Sequence, residues 1–408
     1  MKSHIRTREW VAGGGVGALA LLAGVGLAHA QTTPSCNDVT MFPNPIYMTG
    51  SSAFEPTASK IAVKLSALST PFTVIYNSTS SCQGISYIRD STKLTGMGDY
   101  FKVDPNDATK IITSKCNLDP ATLADVGVSD VYYTSCNGDT LPAGLGDFLG
   151  PVQSMLFVVP EANTSVTAIS AEQAAAIWGC GTAGKVGSFT EETAIQQRSA
   201  TSGTQIMVSS YIGVPPANFK GMANSSGGAL VTSLLAVTDP QKAIGFYAAD
   251  GYDSRRSTLN ALAFRGFGQT KAYYADSTAA ATDKQNVRDG HYQIFGPEHL
   301  FATVDATGAP TSAVAKKLVD WILGTVAIDS ASPLGYIDAE AGAGTIPQCA
   351  MKVTRDADGA YLKPYKPPVS CSCYYEAVVT QMSAADCVPC AGDADCAGGK
   401  TCQSKFCE

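Results

Sequence analysis

Residues 198–205, RSATSGTQ, put a guanidinium four positions ahead of a Ser-Gly-Thr run. Arg198 can offer two parallel N–H bonds to an oxyanion, and Ser202 and Thr204 add hydroxyl donors. Gly203 allows close approach to the backbone. Two other stretches carry related chemistry: TGSSAFEP, 49–56, which contains Ser52, and STSSCQGISYI, 78–88, which contains Ser81. Asp130, in VGVSDVYY, adds a carboxylate at the end of an apolar run. A carboxylate accepts a hydrogen bond from protonated phosphate but repels fully ionised sulfate, which makes it a selectivity element.

Each polar stretch leads into a helical pattern. The first precedes TASKIAVKLSAL, the second a short helix, and the third SGTQIMVSSYIG, which closes at Gly213. A helix N-terminus leaves backbone N–H groups unpaired and carries a partial positive charge. Three such ends converging could coordinate one tetrahedral oxyanion without a metal. Any one of them, taken alone, serves equally as an ordinary helix cap. Strand-like runs (FTVIYN at 72–77, DVGVSDVYY at 125–133, QSMLFVVP at 153–160, KAIGFYA at 242–248) alternate with helical stretches, which predicts an α/β class. SAEQAAAIWG has Ser170 as N-cap, Gln173 at the capping-box position and Gly179 just past its end. SAVAKKLVDWILG, 312–324, reads as an amphipathic helix closed by Gly324.

Of the 408 residues, 45% are apolar and 15% charged, with a formal net charge of −7, a globular composition. No Lys/Arg-rich run occurs, which argues against a nucleic-acid surface. Residues 1–30 combine a basic start (Lys2, Arg6, Arg8), an apolar core at 11–28 and the small-x-small end AHA. That pattern predicts a cleaved signal peptide and a periplasmic, secreted or cell-surface protein. All thirteen cysteines follow it, so an oxidising compartment makes most of them disulfide candidates and leaves one over. KPYKPP, 363–368, reads as a stiff linker within 363–370, and 371–408 as a disulfide-knotted module with little apolar core. Cys387 and Cys390 form a CxxC, but a second one at zinc spacing is missing, and Asp393 and Asp395 lack EF-hand spacing. No metal or cofactor is expected. Beyond residue 30 the sequence has two histidines, His291 and His299, neither in a hydroxyl-rich motif, so no general base for an enzyme is in sight.

These residues, in this order, resemble the PstS-like phosphate-binding proteins of ABC importers, members of the type II periplasmic binding proteins. The RxxxSGT signature is matched by Arg198, Ser202, Gly203 and Thr204. TGSSAF would place Ser52, Ala53 and Phe54 at the ligand, SCQG would place Ser81, and Ser129–Asp130 matches the SD motif. AIWGCGTAGKVGSF and KAIGFYA match further segments, so the likeness spans roughly 45–325. Ala53 stands where Thr is common, and Cys82 and Gln83 replace two glycines. A long stretch separates Ser81 from Asp130 and leaves Asp99, in GMGDYF, as a rival acceptor; the strand-then-SD context favours Asp130.

The resemblance implies a two-lobed fold with the ligand cleft between the lobes. Lobe one takes 31–155 and, on its return, 299–362; lobe two takes 156–298. It further implies a monomeric, non-enzymatic protein that captures phosphate or a related oxyanion and delivers it to an ABC permease. Two other functions fit less of the sequence: a surface or matrix interaction protein with the Cys-rich tail as docking piece, and a phosphoester-acting enzyme.

Overall fold

The computed structural model describes residues 33–330, 332–382 and 385–408. The segment expected to be a signal peptide lies outside the described residues. The chain begins with β1 (Pro45–Gly50), α1 (Glu55–Ser66), β2 (Thr73–Ser78) and α2 (Ser81–Arg89). There follow a hairpin, β3 (Met97–Asp104) and β4 (Asp107–Asn117), then β5 (Val126–Ser129) and the short α3 (Tyr133–Asn137). β1 pairs in parallel with both β2 and β5, so it is the point from which the strand order runs in opposite directions. Ligands in open α/β sheets bind beyond the C-terminal ends of strands at such a switch point.

β6 (Leu145–Pro160) is the long connection. Its first half pairs with β13 (Phe295–Thr303) of the returning chain, and its second half with β10 (Gly245–Ala248) and β11 (Leu259–Ala261). One nine-stranded sheet therefore runs β10-β6-β13-β5-β1-β2-β3-β4, with β11 also on β6. The apolar run from Val152 to Pro160 is buried throughout because both faces of this strand are covered. Around its far half lie β7 (Ala168–Ser170), α4 (Ala171–Cys180), β8 (Gln196–Arg198), α5 (Gly203–Ile212), β9 (Met222–Asn224), α6 (Gly227–Leu235), α7 (Ala249–Asp253), β12 (Ala263–Arg265) and α8 (Gln285–Arg288). The return carries α9 (Ala313–Ile322) and α10 (Gly335–Ala343).

Two large apolar cores and two smaller clusters form among the described residues. One gathers Ile46, Phe54, Leu65, Val128, Leu318 and Trp321; the other gathers Phe157, Trp178, Met207, Phe246 and Phe264. The capping box at Ser170 and Gln173 forms as the sequence predicts, but α4 runs on through Gly179 to Cys180. Gly181 takes over the stop, with a φ of +56° that favours glycine.

Six disulfides form, and Cys180 is the thiol left over. Cys36–Cys116 and Cys82–Cys136 lie in the body; Cys373–Cys387, Cys390–Cys402 and Cys396–Cys407 lie in the tail. Such a set fits an oxidising compartment. No helix among the described residues is long and apolar enough to cross a membrane.

The tail is less detached than its composition suggests. Cys371 and Tyr375, at the start of α11 (Ser372–Thr380), are fully buried within the second core, as are Ile337, Ile346 and Ala350 from the return. Arg288 lies over the Tyr375 ring and donates to the Ala350 and Ser372 carbonyls. Cys349–Cys371 then clamps this contact. The sequence reading missed it because one tyrosine in a Cys-rich stretch carries no periodic signal. With its ends 22 positions apart in sequence, the Cys349–Cys371 clamp contributes about 3 kcal/mol by the loop-entropy account. The Cys349→Ser/Cys371→Ser double variant should lower the denaturant midpoint accordingly and expose Tyr375 to solvent quenching.

Candidate functional site

Ser51 and Asp130 follow directly on β1 and β5, and Ser81 opens α2 three residues after β2, at the C-terminal ends of three parallel strands. Their closeness depends on glycine. A Cβ at Gly84 of α2 would lie 2.5 Å from the Val128 carbonyl oxygen, and one at Gly127 would lie 2.3 Å from the Gly84 oxygen. Without side chains at these positions, the start of α2 can lie flat on β5. The Cys82–Cys136 disulfide pins the same helix start to α3, just beyond Asp130. The Ser81 hydroxyl consequently accepts the Asp130 N–H at 3.3 Å.

That hydroxyl also accepts the Gly203 N–H of α5 at 3.1 Å, joining the two halves of the molecule. Thr204 Oγ1 donates to Asp130 Oδ2 at 3.4 Å. Asp130 is 1% exposed, and its Oδ1 has no hydrogen-bond partner among the described residues. Burial pushes its carboxyl pKa up, while the Ser51 hydroxyl and the Arg198 charge pull it down. Asp99, the rival, is engaged by Lys115 at 2.6 Å on the β3–β4 hairpin.

Arg198 ends β8 and is 4% exposed. Its Nε donates to the Asn224 carbonyl and its Nη2 to the Ser225 carbonyl, both at 3.3 Å. The Gln205 side chain accepts its backbone N–H at 2.9 Å. These contacts fix the guanidinium plane at the wall of a cleft of about 930 Å³. Ser52, Ala53 and Thr204 line the same cleft.

Two predicted residues stand differently. The Phe54 ring is fully buried in the first core, and its N–H donates to the Ser51 carbonyl at 3.3 Å. Ser202 caps α5 by its backbone position, with no side-chain cap bond. Ser51, rather than Ser52, has the hydroxyl at the Asp130 carboxyl.

Sequence reasoning also missed the start of α6. Ser225, Ser226, Gly227 and Gly228 line the cleft, and Ser226 Oγ caps Ala229 N–H at 3.1 Å. The signal was present, as a Ser-Ser-Gly-Gly turn before the apolar ALVTSLL. Glu298, inside the apolar run of β13, was a second missed signal. It is fully buried, and neither carboxyl oxygen has a hydrogen-bond partner among the described residues. Burial first, then the charges of Asp130 and Asp250, hold its carboxyl well above the ordinary range.

Glu298 keeps its proton in the folded state at pH values where the unfolded chain, near 4.5, has lost it. Its contribution to stability is therefore complete below that value and falls as pH rises. Glu298→Gln removes this dependence. The variant should melt at the wild-type temperature near about pH 4 and several degrees higher near about pH 8, measured by circular dichroism.

No protein-family model and no curated protein sequence matches the chain. Solved structures do match it. A putative phosphate ABC transporter substrate-binding protein with bound phosphate, from Clostridium perfringens, superposes with a TM-score of 0.50 at 14% identity. That match covers 74% of this chain and 99% of the other. The chain has the two-lobed fold of a periplasmic binding protein. An ABC-type phosphate transport receptor from Vibrio cholerae matches with a TM-score of 0.47 at 16% identity, covering 74% of this chain and all of the other. An ancestral soluble variant of the human phosphate binding protein matches with a TM-score of 0.47 at 12% identity, over 74% and 90%. In a periplasmic-binding-protein fold the cleft between lobes is the expected place for a ligand. Ser81 and Asp130 touch Gly203 and Thr204 directly, at 3.1 and 3.4 Å, and Ser81, Asp130, Gly203, Phe54 and Ser202 lie behind the cleft wall, which among the predicted site residues is formed by Ser52, Ala53, Arg198 and Thr204.

Proposed function

We propose that this chain is an exported solute-binding protein that captures phosphate, or a closely similar oxyanion, and passes it as a monomer to an ABC permease. Lobe one takes 31–155 and 299–362, and lobe two takes 156–298. The observation that carries this reading is Arg198: a buried guanidinium, held by two carbonyls and presented to a cleft beside the N-terminus of α5. Arg198, Gly203 and Thr204 hold the anion from lobe two and Ser52, Ala53, Ser81 and Asp130 hold it from lobe one, while Phe54 and Ser202 shape the two turns through the core and the backbone cap. The Asp130 carboxyl, bonded to Thr204 of the cleft wall at 3.4 Å, supports a preference for an anion that carries a proton. The protein needs no cofactor or metal for this and carries out no chemical step.

Isothermal titration of the chain with phosphate and with sulfate tests the reading. Phosphate should bind at micromolar protein with one site, and sulfate far more weakly. Absence of heat with phosphate would sink the proposal, and equal affinities would remove Asp130 as its selectivity element.

A further inference from the structure

The cleft is larger than its proposed anion requires. Its volume of about 930 Å³ lies in the range of about 300–1,000 Å³ that accommodates a drug-sized molecule. Beyond Arg198 the wall is built by Tyr247, Asp250 and Arg255. Arg256, the next residue, is engaged by Asp253 and Asp276 at 2.6 and 2.7 Å. Arg255 pairs with no carboxylate among the described residues and lines the cleft instead.

Tyr247 is wedged in place. A Cβ at Gly251 of α7 would fall 2.4 Å from its hydroxyl oxygen, and one at Gly227 of α6 would fall 2.7 Å from Cε2 of its ring. Its hydroxyl lies where the charges of both Arg198 and Arg255 act on it. Asp250 is 4% exposed, and its Oδ2 has no hydrogen-bond partner among the described residues. Burial holds this carboxyl well above the ordinary range. From the other lobe, Phe101 and Ile111 of the β3–β4 hairpin supply an apolar wall.

A tyrosine, a buried carboxyl with an unpartnered oxygen and an arginine paired with no carboxylate, facing two apolar side chains, match a hydroxylated organic body better than a second anion. We propose that the cleft takes a small hydroxylated phosphomonoester, with its phosphate on Arg198 and its body between Tyr247–Asp250–Arg255 and Phe101–Ile111. This rests on the phosphate reading above and names the ligand class of the same site. Charged hydrogen bonds from Arg255 to the body's oxygens give the ester an advantage that inorganic phosphate cannot use.

The test is titration of the full chain with inorganic phosphate, glucose 6-phosphate and glucose. Glucose 6-phosphate should bind at least about tenfold more tightly than inorganic phosphate, and glucose should give no heat. Arg255→Ala should weaken glucose 6-phosphate by about ten- to hundredfold and leave inorganic phosphate within about twofold. Tighter binding of inorganic phosphate than of the ester, or an equal loss for both ligands in Arg255→Ala, would overturn the inference and leave the phosphate reading intact. If neither phosphate compound binds, both fall.

Discussion

Arg198→Ala should lower phosphate affinity by about two to three orders of magnitude. The side chain is buried and its fork is oriented by the Asn224 and Ser225 carbonyls, so almost none of its reach is lost to rotamer freedom. Truncation removes a desolvated charge–charge contact, which is the costly kind to lose. It also leaves those two carbonyls unpaired, at about 1–3 kcal/mol each if water cannot reach them. Arg198→Lys separates the two effects. It keeps the positive charge without the planar fork, so its affinity should fall between wild type and alanine. Titration calorimetry gives both affinities, and thermal melts report whether each variant is folded. A folded Arg198→Ala protein that binds phosphate like wild type would exclude this cleft as the anion site.

Gly203→Ala should separate folding from closure. Gly203 sits in the first turn of α5 with ordinary helical geometry, so alanine fits the backbone and improves helix propensity by about 1 kcal/mol. The added methyl, however, would fall 2.1 Å from Ser81 Oγ and 2.8 Å from Asp130 Oδ2. Those atoms belong to the facing lobe, whose positions are set by β2, β5 and the Cys82–Cys136 disulfide. The clash is relieved most easily by keeping the lobes apart. The expected outcome is an unchanged or slightly raised melting temperature, a larger radius of gyration in solution scattering, and phosphate affinity reduced at least about a hundredfold. Wild-type affinity and size in this variant would mean that the Ser81–Gly203 contact is dispensable.

The helix starts that meet beside the cleft were legible where the information is local. Ser, Gly and Thr before an apolar periodic run signal a helix start, and that holds for Ser81 in α2 and for Gly203 in α5 whatever surrounds them. The spacing of Arg198 to Ser202 works for the same reason, because a single turn, 199–201, joins the end of β8 to the N-cap of α5. The start of α6 carried an equal signal in SSGG, but no charged residue beside it drew attention.

What stayed hidden depends on residues far apart in the chain. The strand-then-SD context favours Asp130 over Asp99, but only the sheet order puts one beside Thr204 and the other beside Lys115. Glu298 looked like one acid in an apolar strand; its proton is held by burial and by two acids contributed from β5 and α7. Cysteine pairing and the docking of Tyr375 on Arg288 follow the same rule. The sequence alone determined which side chains could grip an anion and that disulfides would form, since both are properties of residue type and short spacing. The tertiary structure decided which carboxylate stands beside Thr204, which cysteines meet and how wide the cleft is. Those depend on distances that parallel strand pairing and the close approach at Gly84 and Gly127 create, and no local window contains them.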